Sequence, residues 1–201
     1  VEAAGADEYR CFVVPTSYSE DRFIRSVEVK PGNRNIVHHV IAYLREPGST
    51  WLQGAPIGEP VVKVAKSDTG PRGSLAGYAP GVPQLPGVDG RARLVKAGTD
   101  LVLEMHYTTN GQEGADRTKI GFMFAKGQPE TRVARIAAAN VALAIPPGAA
   151  NYTVEASTTL KTETTLVSLK PHMHLRGKAM EFRAIYPTGE KEILLNVPCY
   201  D

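Results

Sequence analysis

The apolar residues of this chain recur with a period of two, and this pattern most limits the folds that the sequence can adopt. Alternation of apolar and polar residues is typical of β-strands with one buried and one exposed face. The segments that carry it are 22–29, 36–44, 100–108, 118–124, 152–160, 164–174, 178–186 and 191–197. The 19 glycines and 15 prolines among 201 residues indicate frequent turns, since the two residue types together average only roughly 12% of a protein. The sequence therefore predicts an all-β fold of the sandwich kind.

Two interruptions of the alternation indicate how the chain is organised. Residues 46–90 are rich in glycine and proline, and we interpret them as a long loop region with short strands. Residues 134–148 are largely apolar and end in a Pro-Pro-Gly turn, a pattern that can join two units. We predict an N-terminal domain over 1–133 and a C-terminal domain over 134–201. Because the chain stops directly after an apolar strand, we expect the second domain to be incomplete at its C-terminus.

Charge and the length of apolar runs exclude two classes of partner. The formal net charge is +2, and the chain has no run of Arg and Lys and no glycine-rich phosphate loop, so nucleic-acid binding is not expected. An uninterrupted apolar stretch of about 18 residues, which a membrane-spanning helix needs, does not occur in the sequence. The first residue is Val1 rather than Met, which fits removal of a secretory signal and equally fits excision from a longer chain.

The two cysteines, Cys11 and Cys199, lie near opposite ends of the chain and leave two interpretations open. They can form one long-range disulfide in an oxidising compartment, or they can be two buried thiols. Two cysteines are too few for a disulfide framework that could hold a fold together.

The five histidines carry the strongest chemical signal, because four of them form two tight pairs on predicted strands. His172 and His174 are two residues apart, so on a strand both rings leave from one face, here the more polar one. His106 lies on the polar face of its predicted strand. His38 and His39 are adjacent, so their rings point to opposite faces unless the strand is bulged or twisted there.

Five imidazoles exceed the needs of one four-coordinate ion, so we divide them into two sites. The simplest partition places His38, His39 and His106 on one ion, and His172 and His174 on another. Imidazole ligands suit copper, zinc, iron or nickel. Because no cysteine lies near either group, a cysteine-based structural zinc site and a blue-copper site are not expected. Each histidine can instead be an ordinary surface or hydrogen-bonded residue.

Four motifs in a fixed order connect these histidines to a known family. They are Glu8-Tyr9-Arg10-Cys11-Phe12, Val37-His38-His39-Val40, Met105-His106-Tyr107 and His172-Met173-His174-Leu175. In combination they resemble the copper type II, ascorbate-dependent monooxygenases, the family of peptidylglycine α-hydroxylating monooxygenase and dopamine β-monooxygenase. The resemblance implies two jelly-roll-like antiparallel β-sandwich domains, each holding one copper ion, in a secreted or periplasmic protein.

The resemblance also implies a role for each histidine. His38, His39 and His106 would hold the electron-transfer copper, and His172 and His174 would hold the catalytic copper. Ascorbate would reduce both ions, and O₂ would react at the second ion to hydroxylate a C–H bond of a small-molecule or peptide substrate. Imidazole fits this chemistry because it binds both Cu(I) and Cu(II).

Three positions depart from the family pattern. The catalytic copper of the family has a methionine as its third protein ligand, and none of the four methionines here matches that position. Lys170 stands where peptide-hydroxylating members carry an arginine that helps to hold the peptide carboxylate. It can attract a carboxylate without forming a bidentate fork, or it is an ordinary solvated residue. Glu104 stands in place of a neutral glutamine, and it either orients imidazoles or is a surface acid.

Three other functions stay open at the level of the sequence. A non-catalytic secreted copper-binding module would use the same histidines without needing a third ligand on the second ion. A cupin-type mononuclear metal enzyme would also place His-x-His on a strand, but the next acid, Glu181, comes too late, and His38 and His39 stay unexplained. A metal-free interaction sandwich, in which every histidine is incidental, is the third alternative.

Overall fold

A computed structural model describes residues 1–62, 74–82, 84, 86–140, 142–173 and 176–200. All regular secondary structure within these ranges is β-structure, which confirms the predicted fold class. In the same ranges no helix is long and apolar enough to cross a membrane. The chain divides into two compact units, Val1–Thr158 and Thr159–Asp201. This division lies further along the chain than the predicted domain boundary after residue 133.

The strands are numbered in chain order. They are β1 (Glu8–Pro15), β2 (Arg22–Lys30), β3 (Val37–Arg45), β4 (Pro60–Val62), β5 (Ser74–Tyr78), β6 (Arg91–Val95), β7 (Asp100–Tyr107), β8 (Lys119–Phe124), β9 (Thr131–Arg132), β10 (Met180–Ile185) and β11 (Lys191–Val197). The first nine belong to the first unit, and β10 and β11 belong to the second unit.

The first unit is built on a five-stranded sheet with the strand order β4-β1-β7-β3-β5, in which all neighbouring strands are antiparallel. β7 lies at its centre and pairs along its whole length with β1 and β3. Its residues alternate between the faces of the sheet, with Leu101 and Met105 on one face and Val102 and His106 on the other. The central strand thus carries one of the predicted metal ligands into the middle of the sheet.

A second sheet packs against the face that carries Leu101 and Met105, and the two sheets form a β-sandwich. Its strand order is β8-β2-β6-β9, with β2 antiparallel to β8 and β6, and with β9 parallel to β6. Side chains from both sheets make up the buried core between them. These are Val29, Ile36, Val37, Val40, Ala76, Met105 and Tyr107 in one cluster, and Ile24, Ala42, Leu75, Val95 and Leu101 in another. Removal of this apolar surface from water is the main force that holds the sheets together.

The segment that follows β3 covers part of the opposite face of the five-stranded sheet. Trp51 packs there against buried residues of β1 and β7. Arg45 fixes the segment, because its guanidinium donates to the carbonyl oxygen of Leu52 at 2.7 Å and pairs with Asp100 at 2.6 Å. In its described residues, the predicted loop region over 46–90 contains the short strands β4 and β5, which confirms the prediction of short strands there.

The alternation correctly predicts several strands and fails at two segments. The confirmed predictions are β2, β3, β7, β8, β10 and β11. The predictions of strands over 152–160 and 164–174 are wrong, since residues 152–160 and 164–173 form no strand. Apolar side chains such as Tyr152 and Leu166 are exposed there. Alternation produces a strand only where a neighbour pairs with its backbone and a core covers one face.

The second unit contains a β-hairpin formed by β10 and β11. The turn between them falls at the predicted Pro-Thr-Gly sequence. Gly189 adopts a φ of 87° there, a conformation that glycine tolerates without strain. At the end of this unit, the Tyr200 hydroxyl accepts a hydrogen bond from the backbone N–H of Met173 at 2.9 Å.

Candidate metal centre

An irregularity in the pairing of β3 with β7 brings the first three histidines together. Val37 lies opposite Tyr107 and His39 lies opposite His106, so two steps along β3 match one step along β7. His38 is the extra residue, which makes this a β-bulge. Val37 and Tyr107 are buried in the core between the sheets, so His39 faces the other side together with His106. The bulge that a shared ion requires is therefore present.

The three imidazole rings converge through their Nδ1 atoms. Nδ1 of His39 lies 3.1 Å from Nδ1 of His38 and 3.2 Å from Nδ1 of His106. One ligand atom from each ring lies within 4.8 Å of the other two. In the part of the chain that the structure describes, these three side chains form the cluster of metal-ligating residues that fits around one ion.

The spacing of the nitrogens suits a metal ion better than it suits hydrogen bonding. Ligands about 2.0 Å from a tetrahedral ion lie about 3.3 Å from one another, close to the 3.1 and 3.2 Å found here. Each ring nitrogen carries either one hydrogen or one lone pair. Nδ1 of His39 therefore cannot make well-directed hydrogen bonds to both neighbouring nitrogens, whereas three lone pairs can point at one cation.

The cluster is closed on one side and open on the other. The ring of His106 is buried, that of His39 is half-buried, and His38 is exposed. His39 and His106 lie on strands that are paired on both sides within the sheet, which fixes their backbones. An ion in this cluster would be anchored by the sheet and would be reached from solvent past His38.

Two residues that the sequence did not single out as site residues contact His106. Tyr9 lies opposite His106 in the register of β1 with β7, and its ring stacks on the imidazole with the centroids 4.1 Å apart and an angle of 14° between the planes. Asp7 Oδ2 lies 2.8 Å from Nε2 of His106. Asp7 and Tyr9 are two residues apart and so share a face, but only the pairing of β1 with β7 connects them with His106.

Glu104 lies on the face of β7 that carries His106, and it is buried, which excludes the alternative of a surface acid. Its register partners are Cys11 on β1 and Ile41 on β3. Burial, and then the nearby charges of Glu104 and Cys11, raise the pKa of Tyr43 to about 12. The role of Glu104 in orienting the imidazoles stays a prediction.

The second predicted site is not assembled in the described ranges. His172 is exposed and lies in a segment, 164–173, that forms no strand. The prediction that its ring leaves from the polar face of a strand is therefore wrong. His174 lies outside the described residues. Lys170 is exposed in the same segment, and its contact with a substrate carboxylate stays a prediction.

No disulfide joins the two described cysteines, Cys11 and Cys199, so the predicted bridge is not supported. Cys11 is buried within β1, where it packs as a small apolar residue beside Val13 and Val102. This agrees with the alternative of a buried thiol at that position. Cys199 is exposed, which contradicts the same alternative for the second cysteine.

No protein-family model, no curated protein and no solved structure matches this chain. The candidate function therefore follows from the geometry of the histidine cluster and from the ordered motifs that contain it.

Proposed function

We propose that His38, His39 and His106 hold a copper ion, and that the protein is a copper-dependent monooxygenase that hydroxylates a C–H bond with O₂ and ascorbate. One observation carries the proposal: Nδ1 of His39 lies 3.1 Å from Nδ1 of His38 and 3.2 Å from Nδ1 of His106, at a bulge between two inner strands of a β-sandwich. The order of motifs that resembles the copper type II, ascorbate-dependent monooxygenases supports it independently.

The donor set favours copper over harder ions. The cluster consists of imidazole nitrogens, whereas calcium and magnesium prefer oxygen ligands. Among the divalent ions that imidazole suits, Cu²⁺ generally binds most tightly. Bound copper supplies one-electron exchange between Cu(I) and Cu(II). The protein contributes rigidity, because two of the three ligands lie on paired inner strands. These strands hold the two ligands in the same positions for Cu(I) and for Cu(II).

The remaining roles in this proposal are divided between the two histidine groups. Exposed His38 leaves one side of the electron-transfer centre accessible to ascorbate. His172 and His174 hold the second, catalytic copper, and Lys170 attracts a carboxylate of a small-molecule or peptide substrate. These latter assignments, the jelly-roll connectivity and a secreted or periplasmic location are proposed from the resemblance.

A non-catalytic copper-binding module is the second candidate function. The observation that favours it is the exposure of His172 in a segment without a strand, which leaves one preorganised cluster among the residues described. Such a module would bind copper through the first three histidines and would not consume O₂ with ascorbate.

Copper stoichiometry of the reconstituted protein separates the two functions. It is measured by elemental analysis, with EPR of the oxidised form. Two coppers per chain in nitrogen-rich environments, with ascorbate-driven O₂ consumption that His172→Ala abolishes, would support the monooxygenase. One copper per chain that is unchanged in His172→Ala, without O₂ consumption, would support the module. A protein that takes up no copper, or prefers zinc or iron, would contradict both and favour the cupin-type or metal-free alternatives.

A further inference from the structure

His106 is the most deeply buried member of the histidine cluster, and its outer ring nitrogen has a carboxylate neighbour. The side chain of His106 is 7% exposed, whereas that of Asp7 is 49% exposed. Asp7 Oδ2 lies 2.8 Å from His106 Nε2, and His106 Nδ1 lies 3.2 Å from His39 Nδ1. The two nitrogens of one ring thus face a carboxylate on one side and the cluster on the other.

The chemistry of this pair determines where the ring carries its hydrogen. An ionised carboxylate only accepts hydrogen bonds, so Nε2 of His106 must carry the hydrogen that it shares with Asp7. In the neutral ring the lone pair then lies on Nδ1, the atom that faces the cluster. Without a partner at Nε2, the hydrogen can move to Nδ1, where it would block a metal ion.

Tyr9 restrains the same ring in a second direction. Its side chain stacks on His106 with an angle of only 14° between the planes, which limits tilting of the imidazole. The hydrogen bond to Asp7 acts within the plane of the ring, so it limits rotation of the imidazole and sets the direction of the Nδ1 lone pair. Stacking alone cannot choose between the two nitrogens, and the carboxylate can.

We propose that Asp7 is a positioning residue of the metal centre. It selects the Nε2–H tautomer of His106 and so presents the Nδ1 lone pair to the ion. The inference rests on the proposed function, since it requires that His38, His39 and His106 bind a metal. Loss of the carboxylate that holds the outer nitrogen of a metal-bound histidine weakens metal binding by about 10- to 100-fold, and we expect this effect in Asp7→Ala.

Two measurements on the full chain test the proposal, with Zn²⁺ as a probe that has no redox chemistry. NMR of the metal-free protein with ¹⁵N-labelled histidine identifies the protonated ring nitrogen of His106, and chelator competition gives the Zn²⁺ affinity. Asp7→Ala removes the carboxylate, and Asp7→Asn keeps an acceptor oxygen without the charge. Asp89→Ala is the matched control, because Asp89 is an exposed carboxylate that pairs with Arg25 on β2, in the other sheet.

We expect wild type and Asp89→Ala to carry the hydrogen on Nε2 and to bind Zn²⁺ equally. Asp7→Ala should lose the single tautomer and bind about 10- to 100-fold more weakly, with Asp7→Asn between the two. A circular dichroism spectrum of each variant checks the fold. If Asp7→Ala does not fold, the tautomer and the Zn²⁺ affinity of Asp7→Asn test the proposal instead.

The outcomes separate the role of Asp7 from the metal centre itself. If wild type binds Zn²⁺, an affinity of Asp7→Ala within twofold of wild type, or an unchanged tautomer, overturns the role of Asp7 and leaves the centre in place. If wild type binds neither Zn²⁺ nor Cu²⁺, the proposed metal centre fails, and the role of Asp7 toward it fails as well.

Discussion

Deletion of His38 should remove a metal ligand and leave the fold around it unchanged. Val37 and His39 face opposite sides of the sheet although they are two residues apart, because His38 is inserted between them. Without His38 they become neighbours, and neighbours on a regular strand point to opposite faces. Val37 can then stay in the core opposite Tyr107, and His39 can stay opposite His106. The register of β3 with β7 needs no shift.

The deletion should affect stability and metal affinity by very different amounts. The core side chains keep their places and no cavity forms, so we expect the free energy of unfolding of the metal-free protein to change by less than about 1 kcal/mol. Loss of one of three ligands should weaken metal binding at least about 100-fold, since even indirect partners of a ligand matter 10- to 100-fold. This corresponds to about 2.8 kcal/mol of binding free energy.

The assay compares the deletion with His38→Ala, which removes the ligand and keeps the extra residue. Urea unfolding followed by circular dichroism gives the stability of each metal-free protein, and chelator competition gives its Cu²⁺ affinity. We expect both variants to fold and to lose affinity alike. A deletion variant that is unfolded beside a folded His38→Ala would refute the reasoning about register, and wild-type affinity in either variant would refute the ligand role.

Three further predictions concern the frame that holds the site. Asp116→Ala should lower the free energy of unfolding by about 1.5–3 kcal/mol, because its carboxylate accepts hydrogen bonds from the hydroxyls of Tyr107 and Thr118 and from three backbone N–H groups; an unchanged urea midpoint would contradict this. Met105→Ala should cost about 2–5 kcal/mol, since Met105 is fully buried in the core; a loss under 1 kcal/mol in the same assay would argue against tight packing there. Burial raises the pKa of Tyr43 from 10.0 to about 12, so its contribution to stability is complete below pH 10 and is lost as the pH rises through about 12. Urea midpoints across this range should fall less steeply in Tyr43→Phe, and equal slopes would speak against the shift.

The strands that the sequence predicts correctly are those in which alternation coincides with pairing on a real sheet. β3 and β7 are the clearest cases, because both lie inside the five-stranded sheet with one face on the core. Residues 152–160 alternate just as well and form no strand. Period two describes which residues could share a face, and it contains no information on whether a partner strand is present.

The grouping of His38, His39 and His106 is the simplest partition of the five histidines in the sequence. The sequence also indicates a bulge or a twist at His38 and His39, because adjacent histidines on a regular strand cannot share an ion. The contact of Asp7 with His106 could not, because it joins residues 99 positions apart and depends on the register of β1 with β7.

The burial of Glu104 also could not be predicted from the sequence. A polar residue on the polar face of a strand is expected to meet solvent. Here the segment that carries Trp51 packs on that face of the sheet around Cys11, Val13 and Val102, and Cys11 is the register partner of Glu104 on β1.

The ligands of bound copper test the central claim most directly. X-ray absorption and EPR of protein loaded with one equivalent of copper count the nitrogen donors in wild type, in His106→Ala and in the control His172→Ala. We predict three imidazole nitrogens at about 2 Å in wild type and in His172→Ala, and one fewer in His106→Ala with a weaker affinity. An identical copper environment in His106→Ala, or a sulfur donor in wild type, would contradict a centre built from His38, His39 and His106.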